Sequence, residues 1–203
     1  DQYSIESIAF TMPEQLLDEA LLREELSLEE GHIINIEKLR RDIKIIETKV
    51  ADLGYAFVRV YPDTKQDKEK KTVAISYAII PGDKVTVRNV RIAGNSRTID
   101  RVIRREMYLT EGDLYSRTDL EDSKGAIKRT GYFEDATVSE ERVSRTEIDL
   151  VVNVKETQTG SISGGIGYGT SDGIVLSASV SDNNVFGSGM KGVVSVERDD
   201  GEI

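Results

Sequence analysis

The side chains that most often perform catalysis or bind metal ions are sparse in this sequence. The chain of 203 residues has one histidine, His32, and no cysteine, which excludes thiolate nucleophiles, thiolate metal sites and a histidine cluster. The acidic pairs Glu29-Glu30 and Glu140-Glu141 fall in predicted loops, where the sequence does not pair them as a general acid and base. We therefore expect a protein that is not an enzyme, with no catalytic residue, no metal site and no cofactor.

One glycine-rich segment invites comparison with a phosphate-binding loop, namely Gly165-Ile166-Gly167-Tyr168-Gly169. A dinucleotide-binding loop has a strand before its glycines and a helix after them, and no helical pattern follows this segment. The formal net charge of −10 and the absence of a basic patch also argue against nucleic acid as a partner. We therefore expect the segment to be a strand.

The dominant pattern in the sequence is a repeat of domain size. Residues 22–31 read LREELSLEEG, and residues 103–112, which start 81 positions later, read IRREMYLTEG. In each copy a Gly-Tyr pair, at residues 54–55 and 131–132, then closes a helical pattern. Repeats determine the architecture of a chain. We therefore expect three parts: a first repeat at residues 1–84, a second repeat at residues 85–157 and a tail at residues 158–203.

Each repeat has the hydrophobic pattern of a β-α-α-β-β unit. In the first repeat we expect Pro13 to open the first helix, because its missing N–H is harmless in a first turn. We expect Gly54 and Gly131 to take the left-handed conformation that ends the second helix of each repeat. In the second repeat, Thr118 and Glu121 have the spacing of a capping box. The helices must cover one face of a small sheet, since each element has one apolar side.

Apolar spacing predicts which helix faces pack on the sheets. The expected faces of the first repeat are Leu16, Leu17, Ala20 and Leu21, and then Ile36, Leu39, Ile43, Ile46, Val50 and Leu53. The spacing of the repeated glycines predicts a second helix about one turn longer in the first repeat than in the second. We expect a short, restricted link between the two repeats near residues 82–85.

The sheets are predicted to have exposed edges. A three-stranded sheet has two edges with unpaired N–H and C=O groups, and another extended chain can add there as a fourth strand. We expect the strand after each Gly-Tyr pair to lie at such an edge. The residues predicted for strand addition are Tyr55, Phe57, Val58, Val60, Phe133, Ala136 and Val138.

After Thr157 the helix formers give way to glycine and serine. Three segments of about ten residues follow, apolar on one side and small or polar on the other, which is the pattern of transmembrane β-barrel strands. The turn signals between them are Ser171-Asp172-Gly173 and residues 184–189. A soluble β-meander is the alternative that this periodicity leaves open.

Several of these segments resemble a known family. The sequences VRIAGN at residues 90–95, IRREM at 103–107 and GYF at 131–133 are similar to the recognisable pieces of a POTRA domain. The junction at residues 154–170 resembles the one between the last POTRA domain and the barrel in the BamA family of outer-membrane β-barrel assembly proteins. The turn NVFGSG at residues 184–189 is also similar to that family's turn after the second barrel strand.

The resemblance spans the whole chain and implies an α+β fold. Two tandem β-α-α-β-β POTRA domains, the penultimate at residues 1–84 and the last at 85–157, are then followed at 158–203 by the first three antiparallel strands of a truncated transmembrane β-barrel. The implied location is the outer membrane of a Gram-negative bacterium, with the POTRA domains in the periplasm. The implied partners are unfolded outer-membrane protein clients and accessory lipoproteins.

The resemblance also implies roles for individual residues. Arg104, Tyr108 and Glu111 lie where an accessory lipoprotein docks in the family, although Arg104 and Glu111 recur as Arg23 and Glu30, which equally fits an ion pair within each domain. The first barrel strand, which pairs weakly with the last at an opening seam, is represented by Gly165, Ile166, Gly167, Tyr168 and Gly169. Two alternatives stay open: a polypeptide-secretion transporter of the same superfamily, and a soluble envelope scaffold that carries POTRA domains.

Overall fold

The structure is a computed structural model that describes residues 2–170 and 173–199. Ser171 and Asp172, which form the predicted hairpin signal with Gly173, lie outside the described residues. Two compact units are present. One comprises Asp1–Asn89, Leu109–Leu120 and Glu141–Asp149, and the other comprises Val90–Tyr108, Glu121–Glu140 and Leu150–Ile203. Among the described residues, no helix has both the length and the apolar character needed to cross a membrane.

The described chain contains pairs of helices separated by strands of eight to ten residues. The first repeat contains β1 (Ser4–Thr11), α1 (Glu19–Glu25), α2 (Ile36–Ala51), β2 (Arg59–Asp67) and β3 (Thr72–Ile80). The second repeat contains β4 (Thr86–Ala93), α3 (Asp100–Arg104), α4 (Arg117–Arg129), β5 (Phe133–Arg142) and β6 (Glu147–Glu156). The tail contains β7 (Gly160–Gly169), β8 (Gly173–Asp182), a single 3-10 turn (Val185–Gly187) and β9 (Gly192–Asp199).

The strands form three separate three-stranded sheets. Their strand orders are β1-β3-β2, β4-β6-β5 and β7-β8-β9. In the first sheet, β1 pairs with β3 in parallel and β2 pairs with β3 antiparallel. The tail sheet is antiparallel throughout. Two β-α-α-β-β units followed by an antiparallel sheet confirm the predicted α+β fold.

The prediction that Pro13 opens the first helix is wrong. Helix α1 begins at Glu19, and Asp18 caps it by accepting hydrogen bonds from the N–H groups of Ala20 (2.9 Å) and Leu21 (3.5 Å). A carboxylate that satisfies N–H groups in the first turn specifies a helix start, whereas proline at a first turn is merely tolerated. The predicted apolar face of this helix is wrong too, because Leu22 is buried while Leu21 is exposed.

The predicted capping box at Thr118 is also wrong. Helix α4 begins one residue earlier, at Arg117, and the Ser116 hydroxyl accepts from the N–H of Asp119 (3.2 Å). The Thr118 hydroxyl instead donates to the Asp52 carboxylate (2.6 Å). The predicted difference in helix length is confirmed, since α2 has 16 residues and α4 has 13. Gly54 and Gly131 have φ of +108° and +77°, as expected for residues that end these helices.

A polar side chain is buried at equivalent positions of the two repeats. Asp42 is fully buried on the inner face of α2, and its carboxylate accepts from the N–H groups of Ser27 (2.7 Å) and Leu28 (2.9 Å). In the second repeat the hydroxyl of Ser123, 81 positions later, accepts from the N–H of Tyr108 (2.8 Å). The predicted apolar face of α2 is therefore only partly correct, since Asp42 lies within it while Ile36 is exposed.

Asp42 yields a direct test of this packing. Asp42→Ala leaves the partly buried N–H of Ser27 and the buried N–H of Leu28 without an acceptor, and an unsatisfied buried donor costs about 1–3 kcal/mol. We expect Asp42→Ala to lower the free energy of unfolding by about 3 kcal/mol in urea titrations. Asp42→Asn, which keeps an amide oxygen as acceptor, is expected to lose less than that. The control is Asp63→Ala on the exposed strand β2, and equal losses for Asp42→Ala and Asp63→Ala would contradict this role.

Candidate functional site

The outer edge of β1 is covered by a loop of its own repeat. The N–H of Ile5 donates to the carbonyl of His32 (2.8 Å), and the N–H of Gly31 donates back to the carbonyl of Ile5 (2.7 Å). Farther along the strand, the N–H of Ile8 donates to the carboxylate of Glu30 (3.1 Å). The N–H and C=O groups at the outer edge of β1 that an added strand would need are therefore already hydrogen-bonded, and a client strand is not expected to pair with β1.

The second repeat covers β4 in the same way. The N–H of Val87 donates to the carbonyl of Asp113 (2.9 Å), and the N–H of Gly112 donates to the carbonyl of Val87 (2.7 Å). The outer strands at the opposite edges are β2 and β5. These are the strands that follow the two Gly-Tyr pairs.

Strand β2 starts later than the sequence predicted. It begins at Arg59, so Tyr55, Phe57 and Val58 precede it, and the N–H of Val58 closes a turn onto the carbonyl of Tyr55 (3.2 Å). Residues 55–58 form a turn and not the start of the strand, because their polar backbone groups pair locally. Pro62 lies within β2 opposite Tyr77. Proline in a sheet lies where its missing N–H would face away from the neighbouring strand, so the outward donors of β2 are interrupted in the middle of the strand.

Strand β5 has no proline. The N–H of Val143, just beyond the strand, donates inward to the carbonyl of Glu147 (3.0 Å). Donors alternate in direction along an antiparallel strand, which predicts outward N–H groups at the even-numbered residues. Consistent with this, the N–H of Ala136 binds the adjacent Asp135 carboxylate (2.9 Å) rather than a strand. The side chains of Ala136 and Phe133 are buried, so only backbone groups are offered at these positions.

Among the predicted lipoprotein-docking residues, Arg104 makes a contact within its own repeat, whereas Tyr108 is exposed. The Arg104 guanidinium donates to the carbonyl of Val90 (2.8 Å), which is a contact within the repeat. In the first repeat, the corresponding Arg23 lies 3.4 Å from Glu30 in an ion pair. Tyr108, by contrast, is 57% exposed. Tyr108 is therefore the residue of this group whose side chain is best placed to meet a partner.

Sequence analysis did not identify Asp52 as a link between the repeats. Its carboxylate accepts from the N–H of Thr118 (2.8 Å), the hydroxyl of Thr118 (2.6 Å) and the hydroxyl of Ser116 (3.2 Å) at the start of α4. Asp52 is also the C-cap residue of α2. A negative charge favours a helix N-terminus, so one residue ends α2 and caps α4.

Three further contacts accompany the link between the repeats. The N–H of Val85 donates to the carbonyl of Gly54 (2.8 Å). The Arg145 guanidinium pairs with the carboxylate of Asp83 (3.2 Å), and the Arg142 guanidinium lies 4.4 Å from the centre of the Phe57 ring. These contacts lie on both sides of the predicted link at residues 82–85.

Glu156 joins β6 to the loop after β4. Its carboxylate accepts from the N–H of Arg97 (2.9 Å), the N–H of Thr98 (2.5 Å) and the hydroxyl of Ser96 (2.9 Å). Partial burial of the carboxyl group opposes ionisation, but the hydrogen bonds from Thr98, Arg97 and Ser96 outweigh it and lower the pKa of Glu156 below its usual value. The loop is thereby held by one ionised side chain.

The same loop holds the turn between β8 and β9. The Asn184 side-chain amide donates to the Thr98 hydroxyl (2.8 Å), and the N–H of Ile99 donates to the carbonyl of Gly187 (3.0 Å). Arg97 pairs with Asp182 at the end of β8. A Cβ atom on Gly187 would overlap the Arg97 carbonyl, so only glycine permits this approach. We call Glu156, the loop 96–99 and the turn 184–189 the junction lock.

The tail sheet has two chemically distinct faces. One face is mainly serine and glycine, and the Ser161 and Ser181 hydroxyls lie 2.6 Å apart on it. The other face is mainly apolar, with Arg198 opposite Leu176 on it, and its large apolar residues are 47% to 84% exposed. These are Ile162, Ile166, Tyr168, Ile174, Leu176, Val180, Val194 and Val196.

The predicted seam residues lie together at the outer edge of the tail sheet. Gly165, Ile166, Gly167, Tyr168 and Gly169 end strand β7, which is an edge strand. Within the part of the chain that the structure describes, no group of three or more His, Asp or Glu residues is arranged to hold a metal ion.

The junction lock predicts a dependence of stability on pH. Because the folded-state pKa of Glu156 lies below its ordinary value of 4.5, its stabilisation is complete above that value and is lost as the pH falls through the lower folded-state pKa. At neutral pH we expect Glu156→Gln to cost about 1–2 kcal/mol in thermal unfolding followed by circular dichroism. The difference between the two proteins should shrink below pH 4.5.

Glu134→Gln is the matched control, because Glu134 is exposed and pairs with Lys155 in an exposed salt bridge (3.3 Å). Such pairs contribute about 0–1 kcal/mol. A Glu156→Gln protein that is as stable as Glu134→Gln at every pH would contradict the role of Glu156.

Comparison with known proteins gives a consistent result. The sequence matches the POTRA family, described as surface antigen variable number repeat, at residues 3–82 and 85–157. Outer membrane protein assembly factor BamA of Neorickettsia risticii is 30% identical over 97% of this chain and 27% of its own length. BamA of Nitratidesulfovibrio vulgaris is 34% identical over 76% of this chain and 20% of its own length. The chain thus spans about a quarter of the length of these curated relatives.

Solved structures extend the match into the tail. The crystal structure of BamA from Haemophilus ducreyi lacking POTRA domains 1–3 aligns over 97% of this chain and 37% of its own, with a TM-score of 0.80 and 29% identity. The POTRA3–5 structure of Haemophilus influenzae BamA covers 76% of this chain and 61% of its own, with a TM-score of 0.68 and 28% identity. The first alignment includes the tail, which favours a barrel start over a soluble meander. The chain therefore belongs to the POTRA family, and within it to the BamA outer-membrane protein assembly factors.

Proposed function

We propose that this chain is the periplasmic POTRA region and the barrel start of an outer-membrane protein assembly factor. It receives unfolded β-barrel clients, helps fold and insert them into the outer membrane, and docks an accessory lipoprotein. The domain division of the proposal is a penultimate POTRA domain at residues 1–84, a last POTRA domain at 85–157 and barrel strands from 158 onward. The observation that carries it is the tail sheet, which follows two POTRA repeats and has one exposed apolar face.

The chemistry of the tail sheet supports a membrane location. A lipid-facing strand alternates apolar residues with residues that face the barrel interior, and the cross-strand rows of this sheet match that rule. Ile162, Val180 and Val194 form one apolar row, and Ser163, Ser179 and Ser195 form a polar row on the other face. An exposed apolar surface of this kind marks a contact with another protein or with lipid.

We propose that clients add at β5 rather than at β2. Backbone hydrogen bonds bind an extended chain with little dependence on its sequence, which suits a receiver of many clients. Strand β2 is interrupted by Pro62, and β1 and β4 are covered by their own loops. By the alternation of donors along β5, the N–H of Val138 is expected to face outward. This narrows the predicted addition sites to the backbone of the second repeat.

Val138→Pro removes one outward donor of β5 and tests strand addition. A backbone hydrogen bond contributes about 1 kcal/mol, so we expect roughly a fivefold loss of affinity for peptides taken from barrel strands. Val138→Ala, which shortens the side chain and keeps the N–H, is the matched control and is expected to bind normally. The measurement is a titration followed by amide resonances in NMR.

Pro62→Val supplies the opposite test in the first repeat. It restores a donor to the middle of β2 and is expected to make peptides perturb resonances along that strand. Equal binding by Val138→Pro and Val138→Ala, or peptide-induced shifts confined to other elements, would contradict addition at β5.

We further propose that the end of α3 and the loop after it, with Arg104, Tyr108 and Glu111, dock the accessory lipoprotein. Exposed aromatic residues often anchor interfaces, so Tyr108→Ala is expected to weaken lipoprotein capture by about tenfold or more. Charge reversal in Glu111→Lys is expected to weaken capture as well. Capture is measured by surface plasmon resonance with the purified lipoprotein, beside the melting temperature of each variant.

The repeat supplies the controls for this test. Ser27 corresponds to Tyr108, and Glu30 corresponds to Glu111. Ser27→Ala and Glu30→Lys change the first repeat alone, so they are expected to leave capture intact. A Glu111→Lys protein that melts early but binds normally per folded molecule would assign Glu111 to the fold and not to the interface.

A further inference from the structure

The turn between β8 and β9 exposes a large apolar ring. Phe186 is 92% exposed, the highest value among the large apolar side chains of the described residues, and Met190 at the end of the turn is 64% exposed. Phe186 also has φ of +50°, in the left-handed region where β-carbon contacts are unfavourable for residues other than glycine. A ring that is almost fully in water and on a strained backbone contributes little to the fold of its own chain.

The turn that carries this ring is rigidly organised. The N–H of Gly187 donates to the carbonyl of Asn184 (3.1 Å), the hydroxyl of Ser188 donates to the carbonyl of Val185 (2.6 Å), and the N–H of Gly189 donates to the Asn184 side chain (2.7 Å). The junction lock then fixes Asn184 and Gly187 to residues 98 and 99. Phe186 is thus held in an exposed position and is not on a loose loop.

The Phe186 ring lies beyond one end of the apolar face of the tail sheet. The apolar face has the row Tyr168–Ile174 at one end, and the row Gly160–Asp182–Gly192 closes the other end. Eight residues separate these rows along β7, which is about 27 Å along the strand at 3.4 Å per residue and about 20 Å along the membrane normal for a strand tilted by about 40°. Phe186 follows Asp182, beyond that second end.

Strand β7 has ten residues, which is the length of a tilted strand that crosses the hydrocarbon core of a membrane. The lipid-facing band of a β-barrel is about 25 Å tall and has aromatic residues at both interfaces. Tyr168 lies at one end of the apolar face and Phe186 follows the other. Tryptophan and tyrosine are enriched at membrane–water interfaces, and phenylalanine is among the residues that interfacial helices bury at the boundary between headgroups and acyl chains.

We propose that Phe186 inserts into the phospholipid surface of the periplasmic leaflet and anchors the junction lock there, with Met190 beside it. The proposal rests on the proposed function, since it requires β7–β9 to lie in the outer membrane. Because the turn is bonded to Thr98 and Ile99 of the second repeat, the anchor sets the depth of that repeat relative to the lipid.

The absence of tryptophan in this chain allows a single-residue fluorescence test. Phe186→Trp is introduced into the complete protein, with any tryptophan outside this chain replaced, and the protein is folded into phosphatidylethanolamine and phosphatidylglycerol vesicles. Separate samples contain lipids brominated near the headgroup or near the end of the acyl chain. Tyr168→Trp reports insertion of the apolar face, and Tyr61→Trp on strand β2 is the control outside the membrane.

The expected result is a blue-shifted emission of Phe186→Trp that is quenched more by the shallow bromines than by the deep ones, while Tyr61→Trp is not quenched. If Tyr168→Trp is quenched and Phe186→Trp is not, the barrel location stands and the anchor is wrong. A blue shift at position 186 without quenching by either lipid means that a protein surface covers the ring, which also overturns the anchor. If neither Tyr168→Trp nor Phe186→Trp is quenched, the membrane location of the tail fails and the anchor fails with it.

Discussion

The arrangement of the second repeat and the tail depends on satisfying the backbone N–H groups of one loop. Residues 96–98 follow β4 without forming a helix or a strand, and at the buried Thr98 a backbone donor that lacked a partner would be costly. The Glu156 carboxylate supplies acceptors for two of these donors at once. Once held, the loop presents Thr98 and Ile99 to the β8–β9 turn. Both the close approach at Gly187 and the orientation of the turn therefore depend on the single ionised carboxylate of Glu156.

Comparison of the two repeats separates the requirements of the fold from those of a partner. Asp42 and Ser123 differ chemically, yet each accepts from a backbone N–H at an equivalent place, so the requirement there is an acceptor and not a charge. Tyr108 replaces Ser27 at a position whose backbone bond is kept, so the exposed ring is not needed for that bond. Positions where the backbone hydrogen bond is the same in both repeats but the side chain differs are therefore candidates for a role specific to one repeat.

Much of the fold follows from periodicity, because strands and helices bury one face each. The element order, the second helices and their terminal glycines were all predictable on that basis. The helix starts at Asp18 and Ser116 were not, since several residues nearby can cap and geometry selects one. The inward position of Asp42 and the role of Glu156 depend on backbone groups far away in sequence. The strand edges and the apolar face of the candidate site were predictable from the sequence. The difference between β2 and β5 was not, because the effect of Pro62 on the donors of β2 is clear only once the strand that contains it is known.

The contact through Asp52 is present in the first repeat and has no counterpart at the corresponding position of the second. The residue two positions before Gly54 is an acceptor that caps the helix of the following repeat. The residue two positions before Gly131 is Arg129, a cation that cannot accept from helix N–H groups and is unfavourable beside a helix N-terminus. A third repeat would therefore need a contact other than an Asp52-type cap to attach to the second.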